Sequence, residues 1–97
     1  MSRITFQWDV KKNRLNQKEH GVSFEEARSV FYDENAVQYY DPDHSDEEDR
    51  FLMLGLSRKL RLLIVSHCYR EDDSVIRVIS ARKAVGNERK EYPGATL

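Results

Sequence analysis

Alternating and helically spaced apolar residues mark out the elements of this chain. Ile4-Thr5-Phe6-Gln7-Trp8 alternates at period two, the pattern of a half-buried strand. Asp9 follows as an N-cap, and Lys11 to Glu19 is polar and rich in helix formers, with Gly21 after His20 as its stop. Ser23-Phe24-Glu25-Glu26 is a capping-box sequence, and Phe24, Ala27, Val30 and Phe31 form one helical stripe behind it. Ala36 to Tyr40 reads as a short strand, and Asp41-Pro42 opens an acidic loop that runs to Asp49. Arg50–Ser57 and Arg61–Tyr69 are longer strands joined by Arg58-Lys59-Leu60. Arg70–Ser74 is the next turn, and Val75–Ser80 the last strand. Ser80 is placed to cap a final helix from Ala81 to about Tyr92, ended by Pro93-Gly94. Gly86 would cost that helix about 1 kcal/mol relative to Ala. The order β-α-α-β-β-β-β-α predicts an α+β fold. Its sheet is twisted and mainly antiparallel, with helices on one face, in a single domain spanning 1–97.

Composition narrows the class. Ninety-seven residues can bury one core without staples, and the single cysteine excludes an internal disulfide framework. No apolar run approaches the roughly 18 residues of a membrane span, and the polar N-terminus is not a signal peptide. A cytoplasmic protein with no membrane contact is expected. The net charge of −1 conceals a segregation, with an acidic stretch between residues 33 and 50 and a basic C-terminal half. Such a half can show a positive face to a polyanion.

The basic half concentrates the candidate chemistry. Arg77 interrupts the apolar run Val75, Ile76, Val78 and Ile79, with Arg82 and Lys83 just beyond. Alternation separates Leu62, Ile64, Ser66 and Cys68 from Arg61, Leu63, Val65, His67 and Tyr69. If Tyr69 and Val75 flank the turn, His67 lies opposite Arg77, with side chains about 5 Å apart on an open sheet face. That pairing suits RNA strand cleavage, where the ribose 2′-oxygen attacks the adjacent phosphorus. Arg77 would grip the phosphate and His67 would transfer a proton, and Tyr92 joins them in the candidate catalytic set. Arg61, Arg82, Lys83 and Arg89 form the candidate RNA-binding set, and Tyr69 and Tyr92 could stack on bases. Plainer readings stand beside these. Arg77 could pair with Glu71, Asp72 or Asp73, and Tyr92 could anchor the last helix to the core.

Elsewhere, Asp41, Asp43, His44, Asp46 and Glu47 lack EF-hand spacing, so a solvated or partner-facing loop is expected over a metal site. His20 suits a helix C-terminus, Trp8 a core or interface anchor, and Cys68 an inward position. There is no Gly-rich phosphate loop or zinc spacing, so no cofactor is expected.

Four segments in order resemble the BrnT family of bacterial type II toxins. They are Phe6-Gln7-Trp8-Asp9 with Lys12 and Asn16, and His20 to Ala27. Asp41-Pro42-Asp43-His44-Ser45 follows with Glu48 and Arg50, then Ile79 to Ala84 with Glu88, Arg89 and Tyr92. The resemblance implies a RelE-like fold and metal-independent RNA cleavage that stops growth. It also implies neutralisation by a BrnA-type ribbon-helix-helix antitoxin, contact with operator DNA only through that antitoxin, and a toxin dimer within a larger assembly. Val10, Glu19 and Gly86-Asn87 depart from the family pattern. The expected function is thus a ribonuclease toxin, with a non-catalytic antitoxin-binding module acting in operon autoregulation as the alternative. An RNA-binding domain without cleavage is a third reading.

Overall fold

The computed structural model describes residues 3–96. Its elements follow the expected order: β1 (Thr5–Gln7), α1 (Val10–His20), α2 (Phe24–Ser29), β2 (Val37–Tyr40), β3 (Phe51–Leu56), β4 (Leu62–Arg70), β5 (Val75–Lys83) and α3 (Gly86–Arg89). The strands form one sheet in the order β1-β5-β4-β3-β2. Among the described residues, only the β1–β5 pairing is parallel; the other three are antiparallel.

Helix starts obey the local chemistry. The Asp9 carboxylate accepts from the Lys11 and Lys12 amides, Ser23 Oγ accepts from the Glu26 amide, and Gly21 closes α1 at φ 69°. The first helix is almost wholly polar, and the residues it buries are asparagines. Asn13 Oδ1 accepts from the Phe24 amide at 2.8 Å. Asn16 Nδ2 donates to the carbonyls of Val22 and Ala81, both at 2.8 Å, and its Oδ1 accepts from the Ala81 amide at 3.1 Å. β1 ends at Gln7, so among the described residues β5 has no strand neighbour on that side near Ala81, and the Asn16 amide takes the neighbour's place. The main core lies between this layer and the sheet: Val22, Phe24, Ala27 and Val30 against Leu63, Val65, Val78 and Ala81. Each large side chain buried there contributes about 1.5–3 kcal/mol. Gly55 is required beneath Val30, because a Cβ would come within 2.7 Å of Val30 Cγ1.

Three expectations are corrected. β5 does not yield to a helix at Ala81 but continues to Lys83, leaving α3 only Gly86–Arg89. The two-way bond to Asn16 holds Ala81 extended, and Gly86 opens the helix instead of interrupting it. The helices do not share one face either, since the C-terminal segment covers the opposite side, packing Tyr92 and Ala84 on Leu54, Leu62 and Ile64. Finally, the β4–β5 turn is one residue shorter than expected. Glu71, Asp72 and Asp73 all adopt positive φ, and Arg70 joins the strand opposite Val75. A one-residue slip inverts the facing of every paired side chain. His67 therefore pairs with Val78 and not with Arg77, whose partner is Cys68.

Candidate functional site

The corrected register moves His67 into the core. It has no solvent exposure and sits on the helix-covered face, its ring meeting Phe31 at 4.8 Å and Tyr69 at 5.4 Å between centroids. The Val65 carbonyl and the Gln38 side-chain amide hold its two ring nitrogens at 3.0 and 2.8 Å. Burial pushes its pKa below the ordinary imidazole value, so the ring is held neutral. The open-face pair of His67 and Arg77 does not exist.

Tyr92 is buried as well. Its hydroxyl donates to Asp33 Oδ2 at 2.6 Å, tying the C-terminal segment to the end of the α2 layer, and burial raises its pKa. Arg61 is committed to structure. Its Nε donates to Glu26 Oε2 at 2.9 Å, a second nitrogen bonds the other Glu26 oxygen, and the same nitrogen reaches the Gly21 carbonyl at 2.8 Å. Glu26 is fully buried, and the Arg61 guanidinium and the Ser57 hydroxyl hold its carboxyl below the usual range. Lys83 and Arg89 line one groove of about 640 Å³ together with Arg61, Leu56, Leu62 and Tyr92. Cys68 is buried, near Glu48, and burial pushes its thiol pKa up, away from a nucleophile.

Arg77 and Arg82 lie on the sheet face opposite α1 and α2, pairing with Cys68 and Ile64 respectively. They lie five positions apart in sequence, so strict alternation would send them to opposite faces. An irregularity in the β4–β5 ladder leaves Ile79 unpaired between Val78 and Ser80, and this extra residue restores the phase. Arg77 donates to Gln7 Oε1 at 3.0 Å. Arg82 makes a two-pronged pair with Glu88 of α3, at 2.8 and 2.6 Å, which draws the Glu88 pKa down to about 2.

Beside Arg82 lies a groove of about 410 Å³ where two distant segments converge. Ser80 and Arg82 come from β5, Ser66 and Ile64 from β4, and Asp41, His44 and Arg50 from the two ends of the acidic loop. The loop is pinned at its base. Asp41 N donates to the Arg50 carbonyl at 2.9 Å, Ser45 Oγ donates to the Asp41 carbonyl at 2.5 Å, and the Arg50 amide donates to Ser45 Oγ at 2.9 Å. Within it the His44 Nδ1–H donates to Asp41 Oδ2 at 2.9 Å, with Asp41 mostly covered and His44 two-thirds exposed. An arrangement of two guanidiniums, two hydroxyls and an oriented imidazole can grip an anionic ester and exchange protons with it. Sequence reasoning missed this site because the loop reads as a run of solvated charge. The available signal was the Asp41-Pro42-Asp43-His44 spacing, which closes an aspartate on a histidine across a single turn. Among the described residues, no three His, Cys, Asp or Glu side chains converge as metal ligands would.

The family model described as "Ribonuclease toxin, BrnT, of type II toxin-antitoxin system" matches residues 8–88. The chain belongs to the BrnT family. That span includes both segments of the groove, from the acidic loop to Glu88. The chain also resembles the crystal structure of the Brucella abortus ribonuclease toxin BrnT, with a TM-score of 0.65 and 21% identity, over 86% of this chain and 99% of that one. At that identity the likeness establishes a shared α+β fold. No curated protein matches the sequence. Membership in a type II toxin–antitoxin family implies an antitoxin partner for this BrnT chain. Among the described residues, no helix is long and apolar enough to cross a membrane.

Proposed function

We propose that this BrnT chain is an endoribonuclease toxin that cleaves single-stranded RNA without a metal ion, on the sheet face opposite α1 and α2. The observation that carries this reading is the bulge at Ile79, which puts Arg77 on the same face as Arg82, the guanidinium that lines the groove. Guanidiniums there can hold phosphate oxygens and offset charge building on phosphorus, the role a divalent ion plays in other nucleases. Arg50 lines the same groove, with no side-chain partner among the described residues, and is available for a second phosphate oxygen. Lys83 and Arg89 extend a basic surface to the neighbouring groove. His67, Tyr92 and Arg61 serve the fold and not the substrate.

Its partner on this reading is a BrnA-type ribbon-helix-helix antitoxin, which links the toxin to operator DNA and assembles with a toxin dimer. Type II membership supports the antitoxin, and the family resemblance supports its kind.

The test is cleavage of a labelled single-stranded RNA by antitoxin-free protein in excess chelator. Cleavage that Arg82→Ala abolishes supports the reading. Absence of cleavage, on free RNA and on ribosome-bound messenger alike, would leave a non-catalytic antitoxin-binding module.

A further inference from the structure

The geometry points to His44 as the proton-transfer residue of this groove, with Asp41 the residue that positions it, acting on the ribose 2′-hydroxyl beside a phosphate held by Arg82 and Arg50. This inference rests on the ribonuclease reading above and names the group that reading leaves unassigned.

Three observations converge on it. The first is orientation. Asp41 Oδ2 accepts only, so at 2.9 Å it fixes the proton on Nδ1 and leaves Nε2, which has no partner among the described residues, as the acceptor. The second is rigidity. The loop that carries the pair is closed at its base by bonds linking Asp41, Ser45 and Arg50, so the imidazole is presented from a fixed frame. The third is placement. The imidazole, Arg50, Arg82 and Ser80 line one groove, so a phosphate on the guanidiniums lies against the histidine. His67, by contrast, has both nitrogens occupied and no exposure.

The step balances without any further reagent. His44 Nε2 takes the 2′-hydroxyl proton as the O2′–P bond forms. The P–O5′ bond then breaks, giving a 2′,3′-cyclic phosphate and a 5′-oxygen that takes a proton from water in the open groove. The imidazolium returns its proton to solvent, and no electrons are exchanged with any other group. Charged neighbours are Asp43, Asp46, Glu47 and Glu48 on the same loop, Arg50 at its end and Arg82 from β5.

The experiment follows cleavage of a labelled single-stranded RNA by the purified chain, with His44→Ala, His44→Gln and Asp41→Asn compared across pH. General acid–base groups contribute roughly 10²–10⁴-fold, so both His44 variants should lose at least about 100-fold in kcat. His44 is surface-exposed, so the variants should melt as the parent does. Added imidazole should restore part of the rate to His44→Ala and none to Arg82→Ala, and products should end in a 2′,3′-cyclic phosphate. Asp41→Asn should lose less, with a displaced pH profile and little change in KM. If the parent cleaves and His44→Gln cleaves within about threefold at an unchanged pH profile, the His44 assignment is overturned while the ribonuclease reading stands. If the parent cleaves neither free nor ribosome-bound RNA, both are overturned.

Discussion

Arg77 and Arg82 occupy one strand five residues apart and yet lie on the same face of the sheet, because the unpaired Ile79 resets the alternation between them. At about 3.3 Å per residue, the two positions lie roughly 16 Å apart along β5, a spacing suited to different phosphates of one strand. A phosphate contact on single-stranded nucleic acid contributes about 0.7 to the slope of log affinity against log salt. Arg77→Ala and Arg82→Ala should therefore each weaken RNA binding and flatten that slope by about 0.7, which filter binding between low and moderate salt would measure. An unchanged slope in both variants would place the RNA elsewhere.

Arg82 is not idle in the absence of RNA, since Glu88 holds it by both oxygens. A phosphate must share the guanidinium with that carboxylate or displace it. The pair is partly exposed, at 42% for Arg82 and 30% for Glu88, so it is worth at most about 1 kcal/mol. Glu88→Gln should thus tighten RNA binding by up to about fivefold while loosening α3 slightly. Weaker binding by a folded Glu88→Gln protein would mean that Glu88 serves to aim Arg82 and does not compete with the ligand.

Most of the fold was legible because the strands and α2 obey simple periodicities, and the order of elements follows from them. What escaped had physical causes that periodicity does not register. The buried residues of α1 are Asn13 and Asn16, which apolar periodicity does not register, although they fix α1 to the start of α2, to the loop before it and to β5. The register of β4 on β5 depends on whether Arg70 belongs to the turn. Three non-glycine residues at positive φ decide it, a conformation open to a single aspartate but rare for three consecutive residues without glycine. That one residue carried His67 from the surface into the core. The acidic loop looked solvated because its charges are mostly exposed. Asp41 and His44 nevertheless pair across one turn and reach the groove that Arg82 borders.

Arg61 should behave as a stability residue and not as an RNA contact. Removing it strands the fully buried Glu26 carboxylate, and breaking a buried pair on one side costs about 3–5 kcal/mol. Arg61→Ala should lower the urea midpoint sharply, whereas Glu26→Leu with Arg61→Met should lose much less because no unpaired charge remains. The Glu26 pKa is depressed in the folded chain, so its contribution is present above the carboxylate reference of 4.5 and is lost as pH falls through the lowered folded value. Equal destabilisation by the single and double variants would show that Arg61 acts through packing of its stem alone.

His67 sets a second pH dependence, in a window above that of Glu26. Its folded pKa lies below the reference of 6.5, because burial among Phe31, Phe51 and Tyr69 penalises the charged ring more than the Val65 carbonyl rewards it. The unfolded chain therefore takes up a proton first as pH drops. The stability that His67 provides is complete above about pH 6.5 and declines below it, levelling off only beneath the folded pKa. Chemical denaturation at pH 7.5 and pH 5.5 should show the parent losing stability on acidification. His67→Phe, which keeps an aromatic ring in the cage and removes the titration, should be less stable at pH 7.5 for want of its hydrogen bonds but should vary less between the two conditions. A parent whose stability is flat across that interval, or a His67→Phe variant that falls just as steeply, would mean that the ring titrates freely and that the core opens to admit its proton.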